Sequence, residues 1–418
     1  MSNTVKVGAA RAPKHFGIFN DFETDWLFKS SLEYMAVKGA EIGECLYIAR
    51  RIDEKNSESW IREWASLAER VEKQAMVSLA GNHLISARES FLRATTYYRL
   101  AEHGAMPTDP RFDAYWQKSV TCFQQACVLF DPPIQILEVQ FECRALAAYF
   151  WRPVDDNGTR PTMIAAGGND SSLEELAMGV GTGAVARGYN FFAFDHPGHR
   201  GAIHRDRDCI KRPDYELPYK AALDLLATLP GVDERIALSG FSFGGFTCSR
   251  VACYEERVKA LIPDSPIIDS YRIAASFWMT LVGKIPERFY FKAVDFALRR
   301  KPILKAYKAY TDTTNGTLGK SLKERIELAK TQFILSKEDL AQIECPTLVL
   351  VSKDEGEEFV RQAEEFYDSI SSKNKAMHVF SLDVDGSNEH CQLDNFSRAG
   401  QVIFDWLDDV FGYYAPRR

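Results

Sequence analysis

One serine with glycines close around it is the first feature of this chain that could do chemistry. The stretch RIALSGFSFGGF, residues 235–246, ends an apolar run and places Ser242 between Gly240 and Gly244, with Gly245 next. A helix-length segment follows. G-x-S-x-G between a strand and a helix is the spacing of a nucleophile elbow, a sharp turn that exposes a reactive serine. The alternative is a glycine-rich turn with an ordinary serine. We predict that Ser242 is a nucleophile.

A nucleophilic serine needs a base and a carboxylate that orients the base. With this type of elbow the chain order is serine, acid, histidine. His390 follows the last β-type run, and Asp354 follows the run before it. We therefore predict a Ser242–Asp354–His390 triad. Two other carboxylates compete for the acid: Glu355, one residue further on, and Asp264, a possible additional acid whose Asp-Ser-Pro context also fits a turn initiator.

An oxyanion requires two backbone N–H groups at the place where its charge develops. Phe243, the residue after the serine, is the first predicted donor. Asn169, in the loop AAGGNDSS after the third run, is the second, since Gly167 and Gly168 allow that loop to approach closely. The loop also fits a simple helix cap.

Three histidines lie close together in FDHPGHRGAIHRDRD. Their spacing (His196, His199, His204) falls in a Pro-Gly turn after a strand and has no cysteine nearby except Cys209, which disfavours a metal site. We expect this loop to line the pocket entrance, and we expect neither a metal nor a cofactor. Cys391, beside the predicted base, is interpreted as a small packing residue.

Eight β-type runs must position these groups. The first two are separated by two residues and predict a hairpin, and the last six alternate with helix-length segments and are nearly continuous in apolar residues, as in buried parallel strands. The runs are 134–141, 144–152, 162–168, 189–195, 235–240, 258–264, 347–354 and 376–383. This pattern predicts an α/β-hydrolase fold with an eight-stranded, mostly parallel sheet.

Helical periodicity dominates the chain before the sheet, so we predict a helical cap domain over 1–130 and a catalytic domain over 131–418. In the first, two helices meet at a break at Gly81-Asn82, with Ser57 as the N-cap of one and Gly104 as the stop of the other. In the second, about 267–340 is a lid insertion, because the gap there is too long for one crossover. Its aromatic residues are expected to form an apolar wall, about half of them as helix-packing core: Phe277, Trp278, Phe289, Tyr290, Phe291 and Phe296.

Bulk composition narrows the class of protein. The 418 residues carry 51 Lys+Arg against 58 Asp+Glu, a net charge of -7, without a long basic block. This argues against nucleic acid or a membrane as a partner. Nine cysteines without a C-x-x-C pair fit a reducing compartment. The N-terminus lacks an apolar signal region, although its basic, acid-free start also fits a transit peptide. We expect a soluble, cytoplasmic protein.

Four segments in this order resemble one group of hydrolases: SARESFLRATTYYRLAE, GGNDSSLEE, DHPGHRG and GFSFGG. The group contains the bacterial 2,6-dihydroxypseudooxynicotine hydrolase and the fungal polyketide-shortening hydrolases of the melanin pathway. The resemblance covers nearly the whole chain, including the helical stretch ahead of the sheet. It departs from the group's D-G-P-G-Q-G turn at His196 and His199. It implies a homodimer, and an acid after the sixth strand for which Asp264 or Asp269 is a candidate.

The resemblance also implies the reaction. It predicts cleavage of a C–C or ester-type bond next to a carbonyl in a polyketide-like, hydrophobic or aromatic small molecule, and it places Ser242, Asp354 and His390 on the group's triad. Phe243 and Asn169 fall on its oxyanion donors. Two alternatives stay open: an acyltransferase or cyclase of secondary metabolism with the same triad, and a catalytically inactive scaffold that binds a small ligand.

Overall fold

The computed structural model describes residues 17–154, 156–282 and 287–414, apart from the side chains of 277–282, 287, 288, 290, 291, 295, 322 and 323. Helices occupy the chain before the first strand. They are α1 (Phe22–Glu33), a 3-10 turn (Tyr34–Val37), α2 (Ile42–Ala49), α3 (Ser57–Ala80), α4 (Leu84–His103) and α5 (Pro110–Cys127).

The two long helices α3 and α4 pack against each other and break where predicted. Gly104 is the C-cap of α4, as expected. The predicted N-cap of α3 is wrong by one residue, because the side chain of Asn56, not Ser57, accepts a hydrogen bond from the Glu58 N–H. An amide oxygen at this position satisfies a helix N–H as well as a hydroxyl does.

The sheet has eight strands in the order β1-β2-β4-β3-β5-β6-β7-β8. β1 and β2 form an antiparallel hairpin, β2 also pairs antiparallel with β4, and the remaining pairs are parallel. The predicted α/β-hydrolase sheet is therefore confirmed. The strands are β1 (Gln135–Phe141), β2 (Arg144–Trp151), β3 (Arg160–Ala166), β4 (Asn190–Phe194), β5 (Val232–Phe241), β6 (Val258–Asp264), β7 (Thr347–Ser352) and β8 (Lys375–Phe380).

Helices connect the strands, and none of those described is long and apolar enough to cross a membrane. All nine cysteines are free thiols. The helices are α6 (Leu173–Leu176), a π-turn (Ala177–Gly181), α7 (Thr182–Ala186), α8 (Arg200–Arg205), α9 (Glu216–Leu226), α10 (Phe243–Tyr254), α11 (Ser270–Val282), α12 (Glu287–Leu298), α13 (Pro302–Thr314), α14 (Leu322–Thr331), α15 (Lys337–Leu340), α16 (Glu357–Ser369), α17 (Leu382–Asp385), a 3-10 turn (His390–Gln392) and α18 (Phe396–Phe411).

Buried apolar side chains form one large cluster on each face of the sheet. Alternate residues of β4 supply both, with Phe191 on one face and Phe192 on the other, as the pleat of a strand requires. The first cluster continues without interruption into the N-terminal helices through Trp64 and Tyr97. The helical region thus shares a core with the sheet, and the division of the chain into domains at residue 130 stays a prediction.

Five helices, α11 to α15, fill the chain between β6 and β7, where the lid insertion is expected. Phe289 and Phe296 are 49% and 70% exposed, so neither belongs to a buried apolar wall. The other four aromatic residues of that prediction have side chains outside the described part: Phe277, Trp278, Tyr290 and Phe291.

A buried ion pair joins the helical region to the hydrolase part. Glu102 of α4 accepts hydrogen bonds of 2.6 and 2.7 Å from Nη1 of Arg200, at the start of α8. Burial alone would raise the pKa of Glu102, but Arg200 and the neighbouring cationic groups outweigh it and hold that pKa far below its usual value. A charged carboxylate in the interior is tolerable only because such partners surround it.

We predict that Glu102→Leu lowers the free energy of unfolding by about 3–5 kcal/mol, because it leaves a buried Arg200 without its carboxylate. Urea unfolding followed by fluorescence measures the change. Glu58→Leu is the matched control, since Glu58 pairs with Arg111 at the surface and its loss should cost less than about 1 kcal/mol. Equal effects of the two substitutions would contradict the prediction.

Candidate active site

Ser242 sits on a strained turn between β5 and α10. Its φ of 57° and ψ of -115° lie outside the regions that L-residues normally occupy. Such a backbone costs on the order of 1–3 kcal/mol and persists only where the surrounding structure enforces it. The predicted nucleophile elbow is present in the geometry of the chain.

Two glycines make this turn possible through close backbone approach. A Cβ on Gly240 would lie 2.0 Å from the carbonyl oxygen of Gly244, and a Cβ on Gly244 would lie 2.2 Å from that of Ala166 in β3. Neither space can hold a side chain. The G-x-S-x-G spacing therefore reflects contact between the elbow, its own helix and the neighbouring strand, as the sequence suggested.

Backbone hydrogen bonds hold the serine in place. The Ser242 N–H donates to the carbonyl oxygen of Asp264 at 2.9 Å, and the Gly245 N–H donates to the carbonyl oxygen of Ser242 at 2.7 Å. The side chain of Ser242 stands at the N-terminus of α10, where the helix dipole favours negative charge.

The loop after β3 lies against the elbow. A Cβ on Gly168 would come within 3.3 Å of the Cβ of Ser242, so the two backbones are adjacent. Within the described residues, the N–H groups of Phe243 and Asn169 donate no hydrogen bond to another protein group. Two unused donors beside a serine suit a developing oxyanion. The helix that follows is capped by Ser172, not by Asn169.

Arginines from outside the loop fix its path. Nε and Nη2 of Arg200 donate to the carbonyl oxygen of Asp170 at 3.2 and 3.1 Å, and Arg99 of α4 donates to the same oxygen. Since Arg200 is itself paired with Glu102, the helical region positions the loop next to Ser242.

His390 is buried in a 3-10 turn after β8, and its partner is Glu355. The two lie 2.7 Å apart, from Nδ1 to Oε2. A carboxylate only accepts, so Nδ1 carries the proton, and Nε2 is left as the basic nitrogen of the neutral ring. Ser265 Oγ donates to the same Oε2 at 2.7 Å, and the Ser352 N–H donates to Oε1 at 3.2 Å.

The prediction that Asp354 orients His390 is wrong in this geometry. Oδ2 of Asp354 accepts a hydrogen bond of 2.8 Å from Asn388 Nδ2 instead. Strand β7 ends at Ser352, and the turn that follows directs Glu355 inward, fully buried, and leaves Asp354 half-buried. Glu355, the competing acid one residue further along the chain, therefore occupies the position beside His390.

Asp264 is fully buried behind this pair. Its Oδ1 accepts from Gln392 Nε2 at 3.2 Å, whereas Oδ2 has no hydrogen-bond partner among the described residues. Burial and then the nearby Glu355 raise the pKa of Asp264 well above its usual value. The side chain thus favours its neutral, protonated form. Asp269, the other candidate for this acid, lies in a short bridge to Ile334, in the segment after α14.

The side chains of the three clustered histidines are buried by separate partners, and the placement of their loop at the pocket entrance stays a prediction. His196 Nδ1 lies 3.2 Å from the Pro197 carbonyl oxygen, and His204 Nδ1 lies 2.7 Å from Asp113 Oδ1. The described residues contain no group of three or more histidine, cysteine or acidic side chains that could hold a metal ion. Cys391 is buried beside Ser265, consistent with a packing role.

His199 joins a second array with triad-like spacing. Its Nδ1 lies 2.7 Å from Asp195 Oδ1, and its Nε2 lies 3.2 Å from Ser171 Oγ. The ring is completely buried, and Ser171 lacks the positive φ that marks the elbow at Ser242. Neither this array nor buried Lys211, which touches both Phe243 and Asn169, was found in the sequence, since neither has a local signature.

The elbow, the histidine after β8 and the eight-stranded sheet define an α/β-hydrolase. A family model described as Hydrolase_4, serine aminopeptidase S33, matches residues 162–382, more than half of the chain. The protein therefore belongs to this family of hydrolases.

Relatives extend the likeness to the helical region. The chain is 28% identical to Hydrolase ORFZ of Pyricularia oryzae, over 96% of this chain and 99% of the relative. It is also 28% identical to 20-hydroxy-prefusarin hydrolase FUS2 of Gibberella moniliformis, over 90% and 93%. The solved 2,6-dihydroxy-pseudo-oxynicotine hydrolase has the same fold, with a TM-score of 0.69, 23% identity and coverage of 93% and 99%. The resemblance stated from the sequence is confirmed.

We predict that Glu355→Gln lowers kcat by about 10²–10⁴-fold, because an amide does not stabilise the imidazolium and permits the wrong tautomer of His390. Asp354→Asn is the matched control and should stay within about threefold of the unchanged protein, since among the described residues the Asp354 side chain bonds to Asn388 and not to His390. Steady-state hydrolysis of an activated ester measures both. A large loss in Asp354→Asn with little in Glu355→Gln would restore the original assignment.

We predict a pH-dependent stability difference for Asp264→Asn. The raised pKa means that Asp264 stabilises the fold at low pH and that this contribution falls as pH rises above the unfolded value near 4. The asparagine side chain of the variant does not ionise, so its burial has no cost that rises with pH. The variant should therefore gain stability relative to the unchanged protein between pH 5 and 8, by up to about 1.4 kcal/mol per pH unit. A stability difference that does not vary with pH in urea unfolding would contradict this.

Proposed function

We propose that this hydrolase is serine-dependent, with Ser242 as nucleophile, His390 as general base and Glu355 as the carboxylate that orients it. Phe243 and Asn169 supply the backbone N–H groups for the oxyanion. The proposed reaction is cleavage of a C–C or ester-type bond next to a carbonyl in a polyketide-like or aromatic small molecule.

One chain of contacts carries this proposal. The Ser242 N–H is bonded to the carbonyl of Asp264, the next residue Ser265 donates to Glu355, and Glu355 holds His390. Nucleophile, acid and base are thus connected through the dipeptide Asp264-Ser265 at the end of β6. All three follow parallel strands at their carboxyl ends, the edge where ligands bind in open α/β sheets.

The proposed steps follow from these roles. Nε2 of His390 takes the proton of Ser242 Oγ, and the oxygen attacks the carbonyl carbon of the substrate. The oxyanion accepts hydrogen bonds from the two backbone N–H groups. The intermediate collapses to an acyl-enzyme as the leaving group departs with the proton from His390. Water, deprotonated by His390, then releases the acid and restores the serine.

The substrate class rests on the relatives and on the resemblance. One relative is named 20-hydroxy-prefusarin hydrolase, which gives 20-hydroxy-prefusarin as the compound on which that protein acts. A C–C bond is broken when the leaving carbon is stabilised as an enolate, and an ester bond when an alcohol leaves. Substrate profiling with paired β-diketones and esters separates these two outcomes by their products.

An acyltransferase or cyclase would use the same acyl-enzyme but exclude water from it. Product analysis with and without an added alcohol or amine distinguishes the two, because only a transferase passes the acyl group on in preference to water. Cytoplasmic location and a homodimer, expected from composition and resemblance, stay predictions that fractionation and light scattering can test.

We predict that a fluorophosphonate adds covalently to one residue of the protein and that Ser242→Ala abolishes the addition. Ser171→Ala is the matched control, since Ser171 also contacts a histidine but lacks the strained elbow, and labelling should persist in it. Intact-protein mass spectrometry measures the product. Absence of labelling in the unchanged protein would favour the inactive ligand-binding scaffold, and labelling that survives Ser242→Ala would contradict the nucleophile.

A further inference from the structure

Lys211 is a buried lysine beside the proposed oxyanion site. It lies in the segment between α8 and α9, only 7% exposed, and its backbone N–H donates to the carbonyl oxygen of Thr314 at the end of the lid helix α13. Its Nζ lies 4.2 Å from the centre of the Phe243 ring and donates a hydrogen bond to Oδ1 of Asn169. The ammonium group therefore touches both residues that are proposed to supply backbone N–H groups to the oxyanion.

The protein groups that contact this ammonium group carry no negative charge. No described residue places a carboxylate oxygen within 4 Å of Nζ, and its contacts are a neutral amide and an aromatic face. The buried cations Arg200 and Arg99, which hold the same loop, are both paired with Glu102. A buried charge without a counter-charge destabilises a fold unless some other group pairs with it. A cation–π contact compensates only part of that cost.

The amide that Lys211 contacts is connected to the lid. Asn169 Nδ2 donates to the Tyr307 hydroxyl of α13 at 3.1 Å, and the Tyr307 ring stacks on His103 of α4. Lys211 therefore lies where three parts of the chain meet: the lid helix α13, helix α4 and the loop after β3 that contains Asn169. A substrate that reaches Ser242 beneath the lid would approach this junction.

We propose that Lys211 binds an ionised oxygen of the substrate, so that the enzyme prefers carbonyl compounds that carry a carboxylate or an enolate close to the reacting bond. The inference rests on the proposed function and deepens it by naming the charge of the substrate. The bound oxygen supplies a direct ion-pair partner for Lys211, in addition to the more distant charge of Asp170.

The charge state of Lys211 provides a signature for the test. Burial lowers the pKa of Lys211 to about 7, with Asp170 as the opposing influence. The other titratable group that faces it, His196, is neutral in this range because burial lowers its pKa to about 3. The cation is thus present below about pH 7 and is lost above it in the free protein.

The test compares matched esters. Mono-4-nitrophenyl glutarate carries a carboxylate, 4-nitrophenyl valerate has the same acyl length without charge, and 4-nitrophenyl acetoacetate can form an enolate. Lys211→Met should lower the ratio of kcat/KM for one or both acidic esters to kcat/KM for valerate by about 10–100-fold, because a hydrogen bond to a charged group is lost only with the acidic esters. Which acidic ester responds distinguishes a carboxylate from an enolate. Lys220→Met is the control, because Lys220 is exposed and pairs with Asp224 on α9.

Lys211→Arg keeps the test decisive if the methionine variant does not fold. In the unchanged protein the preference for the acidic ester over valerate should fall as pH rises from 6 to 8.5, and in Lys211→Arg it should persist, because arginine stays charged. Equal loss on all three esters, or a pH dependence that Lys211→Arg does not alter, would overturn the inference. Failure of valerate hydrolysis in the unchanged protein would instead count against the proposed function.

Discussion

The strained backbone of Ser242 is the constraint on which the site depends. A positive φ at a residue with a side chain is unfavourable by itself, and here the contacts of β3, β5 and α10 enforce it. Gly240 and Gly244 allow the three elements to meet at backbone distance. The carbonyl of Asp264, at the end of β6, holds the serine N–H from the other side. The central strands thus act together as the support of a single turn.

Two neighbouring buried carboxyl groups, Glu355 and Asp264, differ in the hydrogen bonds that they accept. Glu355 accepts hydrogen bonds from Ser265, from a backbone N–H and from His390. Asp264 accepts fewer, and its Oδ2 has no hydrogen-bond partner among the described residues. Burial and the nearby Glu355 raise the pKa of Asp264. The donors around Glu355 hold its carboxyl group beside His390.

The N-terminal helices are part of the site and not only an addition to the hydrolase sheet. Glu102 of α4 fixes Arg200, and Arg200 together with Arg99 donates hydrogen bonds to the carbonyl oxygen of Asp170 in the loop after β3. Helix α4 also places His103 against Tyr307 of α13. The helical region therefore holds the loop next to the serine, in addition to sharing a hydrophobic core with the sheet.

Hydrophobic periodicity and glycine spacing are local properties of a chain. The eight strands, the elbow at Ser242 and the position of His390 could therefore be predicted from the sequence alone. The sequence narrowed the acid to a few carboxylates, of which the adjacent Asp354 and Glu355 were two. The tertiary structure distinguishes these two residues, because the turn after β7 and the loop after β8 together determine which side chain hydrogen-bonds to the histidine. The position of Lys211 beside Phe243 and Asn169 likewise becomes visible only in the tertiary structure, because these residues belong to segments far apart in the chain.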